Sequence, residues 1–188
     1  LGLAEVGDVL GRTALQEAAL AFGLGEAPTE DLVSSHPTAT ERILEGTDLS
    51  QVGIGQGRLL VSPLQIARAF GALAAGGFLP SPRLILEVES PSGDWLPWGR
   101  TEEPVAAVPP EIATAILQLL ARDPLGNGGY GAYAIAGPTG DRVAWFVAIA
   151  KQGRTPLIVL AVLEDGTTEA AGEIALAVLG LEGSPSPP

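Results

Sequence analysis

Few residues in this chain are able to do chemistry, and their spacing narrows what they could do. The run Gly126-Asn127-Gly128-Gly129-Tyr130-Gly131 matches G-x-G-x-x-G. That pattern cradles a pyrophosphate only where it follows a strand and opens a helix. Here it follows a helical pattern and precedes a strand, so it reads as a mobile loop. His36 stands beside Ser34 and Ser35, but a nucleophile and its base must converge from a rigid scaffold, and neighbours in one polar loop do not. The close carboxylate pairs, Glu102-Glu103 and Glu164-Asp165, sit at loops and strand ends, where charge normally faces solvent. No G-x-x-x-x-G-K-[ST] and no G-x-S-x-G occurs. There is no Cys and one His, which removes thiol catalysis, Cys-ligated zinc and any His pair. Neither a metal nor a cofactor is expected.

The elements that must position these residues follow from periodicity. Residues 11–22 read as a helix with Leu15, Ala18, Ala19 and Phe22 on one face, stopped by Gly23 and Gly25. From 26 to 56 turn-forming residues dominate, with a short helix at 38–45. Ser62-Pro63 is an N-cap followed by Pro at the first helical position; behind it Ile66, Ala67, Phe70, Leu73 and Ala74 line one face, and Gly76-Gly77 ends the helix. Residues 83–89 and 94–98 read as a hairpin around Pro91-Ser92-Gly93, with Pro97 marking an edge strand. A helix opens at Pro109-Pro110 with Ile112, Ile116, Leu119 and Leu120 inward. Strands follow at 132–139, 143–150 and 156–163, the last two apolar enough to be buried on both faces. After Asp165-Gly166 a helix at 168–181 buries Ala171, Ile174, Ala175, Val178 and Leu179, and the tail 182–188 reads as disordered. Helices first, then antiparallel strands and a closing helix, make an α+β domain.

The 188 residues carry 10 basic and 22 acidic side chains, a net charge of −12. The basic residues are scattered, so no phosphate-neutralising stripe exists and nucleic acid is not an expected partner. No apolar run approaches the ~18–20 residues that cross a bilayer. Any membrane attachment is expected through an anchor outside this chain. With no Met at all, the chain reads as a processed or excised piece of a longer product.

One stretch is far more specific. Gly55-Gln56-Gly57, Ser62-Pro63-Leu64-Gln65, Ala67, Ala69, Gly77, Pro82 and Arg83 fall, within Gly53–Leu84, in the register of a segment of high-molecular-weight, class B-like penicillin-binding proteins. The segment reads G-Q-G, [TS]-P-L-Q, an Ala-rich helix, a Gly and a Pro-Arg/Lys. Ala134–Asp165 resembles the same family's v-A-G-K-T-G-T-A, W-F strand, polar turn and last strand ending in Glu. Leu10–Gly25 is similar to the helix and F-G-[FL]-G that follow its S-x-N element. The resemblance covers residues 1–181 and implies one partial transpeptidase-like domain. Its expected architecture is the β-lactamase/transpeptidase-like fold, an antiparallel sheet flanked by helices with a helical lobe. Two N-terminal strands of the family's five are missing from this sequence, which would leave strand 156–163 with an exposed apolar edge.

The family acylates a Ser with the peptidoglycan stem peptide or a β-lactam, using S-x-x-K, S-x-N and K-T-G. The chain's one Lys, Lys151, has Ala148 three residues before it, and its one Asn, Asn127, has Leu125 two before. Neither S-x-x-K nor S-x-N is therefore present. K-T-G has become Pro138-Thr139-Gly140, followed by Asp141, a vestigial substrate-binding strand without its ammonium. The resemblance implies a bacterial, extracytoplasmic cell-envelope protein in a peptidoglycan-synthesis context, with no catalytic residue in this chain and a structural or interaction role. Its partner would be peptidoglycan, a cell-envelope protein, or a second copy joined through strand 156–163. The alternative is the C-terminal half of an active D,D-transpeptidase with its Ser upstream and Arg142 or Arg154 as the substitute cation.

Overall fold

The computed structural model describes residues 2–28, 44–56, 59–99, 103–122, 129–137, 142–152 and 155–180, apart from the side chains of 121, 122, 151 and 152. The order is α1 (Leu3–Ala21), α2 (Leu49–Gly53), α3 (Pro63–Ala74), β1 (Phe78–Leu79), β2 (Glu87–Glu89), β3 (Trp95–Pro97), β4 (Val105–Ala106), α4 (Pro110–Leu119), β5 (Ala121–Arg122), β6 (Tyr130–Ala136), β7 (Val143–Gln152), β8 (Thr155–Glu164) and α5 (Thr168–Val178). Strands β5-β6-β7-β8 form one antiparallel sheet, while β1–β4 and β2–β3 are separate two-stranded pairs. The α+β reading and the placing of the helix opening at Ser62-Pro63 hold. β8 lies at the sheet margin, and among the described residues no strand pairs with its outer edge.

The first helix begins eight residues before the expected start and breaks at Gly11 (φ 77°, ψ 167°). Its early half shows no apolar stripe, because glycines make its contact. A Cβ on Gly7 would stand 2.2 Å from the Leu49 carbonyl oxygen, and one on Gly53 would stand 2.3 Å from that of Leu3. Backbone meets backbone where α1 crosses α2. The short helix read at 38–45 falls outside the described residues up to 43, and Leu44 and Glu45 stand in a turn. The hairpin is shorter than expected, at 87–89 and 95–97. The two-residue β5 was not anticipated.

In the sheet, Ala132, Ala134 and Ala136 of β6 lie opposite Val147, Trp145 and Val143 of β7, and these lie opposite Leu160, Val162 and Glu164 of β8. This front face receives α3. The back face packs Phe146, Ala148, Ala150 and Ala161 against Ala171, Ala175, Leu176 and Leu179 of α5. Alanine on alanine brings this helix close to the sheet, and the buried stripe includes Gly172. Ile174 and Val178, expected inward, face solvent, Val178 at 67% exposure. On α4 the buried position is Ala113, and Ile112 and Leu119 point outward. Both helices are apolar on more than one face, so periodicity alone could not choose. β7 is buried on both faces as expected, but β8 is not: Thr155, Pro156 and Leu157 are exposed and only Ala161 is buried. Its place at the margin is the cause.

The Tyr133 and Phe146 rings meet in a tilted arrangement with centroids 4.7 Å apart, and the buried Tyr133 hydroxyl has no hydrogen-bond partner among the described residues. Burial, followed by the nearby Glu169 carboxylate, raises its pKa above the ordinary 10.0. The unfolded chain therefore releases this proton first, and the fold loses stability as pH rises past the ordinary tyrosine value. Tyr133→Phe is expected to remove that alkaline loss and to raise stability at neutral pH by up to about 1 kcal/mol. Denaturant titrations of both forms at neutral and alkaline pH check this; a Phe variant less stable at both would contradict it.

Candidate functional site

The site is framed by α3 and β6. Ser62 caps α3: its Oγ accepts from the Gln65 backbone N–H (3.2 Å), and the Ser62 N–H donates back to Gln65 Oε1 (2.8 Å). The Gln65 side chain is fully buried, and its Nε2 donates to the carbonyls of Leu24 (3.0 Å) and Glu26 (2.9 Å). One turn on, the buried Arg68 donates from Nε to the Pro80 carbonyl (2.8 Å) and pairs through Nη1 with Glu26 Oε1 (2.8 Å). The [TS]-P-L-Q motif is thus a reciprocal capping box whose glutamine also fastens the segment after α1.

Gly55 (φ 73°) turns the chain ahead of this helix, and the Gln56 side-chain amide donates to the Ile135 carbonyl of β6. Between this loop, α3 and the sheet lies an apolar cavity of about 260 Å³, with Ile66 and Phe70 on one wall and Ala132, Ala134, Ala136 and Trp145 on the other. The Trp145 Nε1 is buried without a partner among the described residues. This volume lies just below the ~300–1,000 Å³ of ordinary small-ligand sites, and its walls lack the convergent polar groups such sites use. It fits an apolar packing element better than a polar substrate.

β6 runs past the cavity to Gly137 (φ 91°). From Ala132 to Ala136 it has β7 on one side and, among the described residues, no strand on the other, although the Ile135 carbonyl already accepts from Gln56. The vestigial motif residues Pro138, Thr139 and Gly140, with Asp141, lie outside the described residues, as do Arg154, His36, Ser34, Ser35, Glu102 and Gly126–Gly128. Tyr130 and Gly131 open β6, and Glu103, Glu164 and Asp165 are exposed. Arg142 is exposed at the start of β7, beside the end of β6, and its carbonyl accepts from the Asp165 N–H (3.0 Å). Lys151 is eight residues beyond Val143, the partner of Ala136. At ~3.3 Å per residue its backbone is about 26 Å along β7 from that end of the strand. Among the described residues no His, Cys, Asp or Glu cluster could hold a metal, and no helix is long and apolar enough to cross a membrane.

The profile of the penicillin-binding protein transpeptidase domain matches residues 2–180. The chain belongs to that family. It is 26% identical over 176 residues to the peptidoglycan D,D-transpeptidase PbpA of Mycolicibacterium smegmatis, covering 86% of this chain and 36% of that protein. Among solved structures it is similar to the imipenem acyl-enzyme complex of penicillin-binding protein A from Mycobacterium tuberculosis, with a TM-score of 0.77 at 22% identity over 94% of this chain and 44% of that one. It is also similar to the D,D-transpeptidase domain of a peptidoglycan glycosyltransferase from Eggerthella lenta, with a TM-score of 0.74 at 18% identity over 95% and 51%. These structural likenesses carry the fold. The chain spans between about a third and a half of the length of these relatives.

The expected strand at 132–139 appears as β6 at Tyr130–Ala136, its last two positions lying outside the described residues, and sequence reading missed that Gln65 is a buried three-way tie and that Trp145 lines a cavity. For the first a signal existed, since Ser followed three residues later by Gln is a capping-box signature. Gln65→Ala leaves the Ser62 N–H and two carbonyls without their partner and is expected to cost about 2–4 kcal/mol. Urea unfolding checks this, and a loss below about 0.5 kcal/mol, that of an ordinary surface substitution, would contradict it.

Proposed function

We propose that this domain belongs to an extracytoplasmic penicillin-binding protein working in bacterial peptidoglycan synthesis, and that it serves there as a structural or interaction domain without performing acyl transfer itself. The observation that carries the reading is Pro138 in place of the K-T-G lysine. In the family that lysine offers a cation to the nucleophile and to the carboxylate of the incoming peptide. Proline offers neither an ammonium nor an N–H, and Asp141 adds a negative charge three residues on. A charge-assisted hydrogen bond contributes about 1.5–3 kcal/mol, so its loss alone weakens ligand or transition state by roughly one to two orders of magnitude. What remains is the scaffold: β6, which from Ala132 to Ala136 pairs with no second strand among the described residues, the capped α3 and the apolar cavity between them.

The second reading, an active D,D-transpeptidase with its serine elsewhere in the protein, is favoured by Arg142, an exposed cation at the β6 end of β7. Incubating the full-length protein with a fluorescent penicillin and boiling it in detergent separates the two. No labelled band is expected; a covalent band that survives boiling would overturn the non-catalytic reading in favour of the second.

A further inference from the structure

We infer that the hairpin β2–β3 is a docking site for an extended cationic segment of a partner protein, added as a third strand on the outer edge of β2. This inference does not depend on whether the domain acylates. The hairpin forms a sheet of its own, and an isolated two-stranded ribbon is at best marginally stable in water. Its turn is nonetheless well fixed: the Ser90 N–H donates to the Asp94 carbonyl (2.8 Å), the Asp94 N–H to Ser90 Oγ (3.1 Å), and Ser92 Oγ to Asp94 Oδ2 (2.9 Å). At its base the Arg83 guanidinium donates to the Trp98 carbonyl.

The two edges differ. The Trp98 N–H donates to the Leu86 carbonyl (2.9 Å), and Ser90 pairs with Asp94, so Leu86, Val88 and Ser90 turn their backbone groups toward β3. The alternation of an antiparallel ladder then turns those of Glu87 and Glu89 outward. On β3 the outward residues are Trp95 and Pro97, and Pro97 has no N–H to offer, which blunts that edge. β2 is the open one.

The two faces differ as well. From the register, Leu86 and Val88 share a face with Leu96 and Trp98, while Glu87 and Glu89 share the other with Trp95 and Pro97. Leu86 and Trp95 are each 64% exposed. Between residues 84 and 99 there are three carboxylates and no basic residue. A strand laid along β2 therefore meets acid, apolar, acid in alternation, and its complement alternates basic and apolar side chains. Opposite charges directly across a ladder are favourable, and the exposed Trp95 ring offers a cation–π contact on the charged face. A second copy paired antiparallel through β2 would set Glu87 against Glu89, like charges directly opposite. An anionic membrane surface would repel the same carboxylates.

The test uses the full-length protein and a fluorescent heptapeptide alternating Arg and Val. Controls are a peptide of the same composition with Arg and Val in blocks, the alternating peptide N-methylated on the amides facing β2, and phosphatidylglycerol vesicles. The alternating peptide is expected to bind about tenfold more tightly than the blocked or N-methylated one. The double variant Glu87→Gln, Glu89→Gln is expected to weaken it by about five- to tenfold, and Glu89→Pro to close the edge as Pro97 closes the other. Equal binding of all three peptides, indifference to the double variant, or binding to vesicles but not to peptide would each overturn the proposal.

Discussion

The architecture around the site depends on a single buried amide. Gln65 uses its oxygen to complete the cap of its own helix and its nitrogen to hold two carbonyls of the segment that follows α1. Without exposure to water, each of those groups would be costly to leave unpaired. Arg68 repeats the arrangement one turn later, with the buried cation satisfied by the Pro80 carbonyl and the Glu26 carboxylate. Since Glu26 is itself more than half exposed, that ion pair is partly screened and counts for more as geometry than as energy. Together the two side chains fix the height and direction of α3 over the front of the sheet, and so the shape of the cavity beside β6.

The two faces of the sheet are built by opposite rules. On the back, small residues on β7, β8 and α5 bring the helix against the sheet in a buried cluster. On the front, small residues on β6 meet no equally close partner and leave apolar space instead. β6 therefore lies beside apolar space on the front of the sheet, while the back is closed by α5. That leaves the apolar space on the side of β6 that faces α3.

Much of this was legible from residue order. The Ser62-Pro63 signal gave α3 its start, the runs 143–150 and 156–163 gave β7 and β8 and their antiparallel pairing, and the motif register gave the family. The misses share a physical cause. The early half of α1 is held by glycines touching backbone, which leaves no apolar period to read. The inward faces of α4 and α5 were misassigned because their contacts run through Ala113, Ala171, Gly172 and Ala175 while larger apolar residues point to solvent. Small side chains carry close packing and little hydrophobic signal. Gln65 was visible as part of a motif, but its burial could not be read without knowing what lies above it.

The proposed function turns on Pro138, which offers no ammonium where the family's K-T-G lysine would meet a stem peptide. The most direct measurement is release of D-alanine from a peptide ending in D-alanyl-D-alanine by the full-length protein, followed against a buffer blank. The account predicts release no faster than the blank. Enzyme-proportional release of D-alanine that a β-lactam abolishes would contradict it.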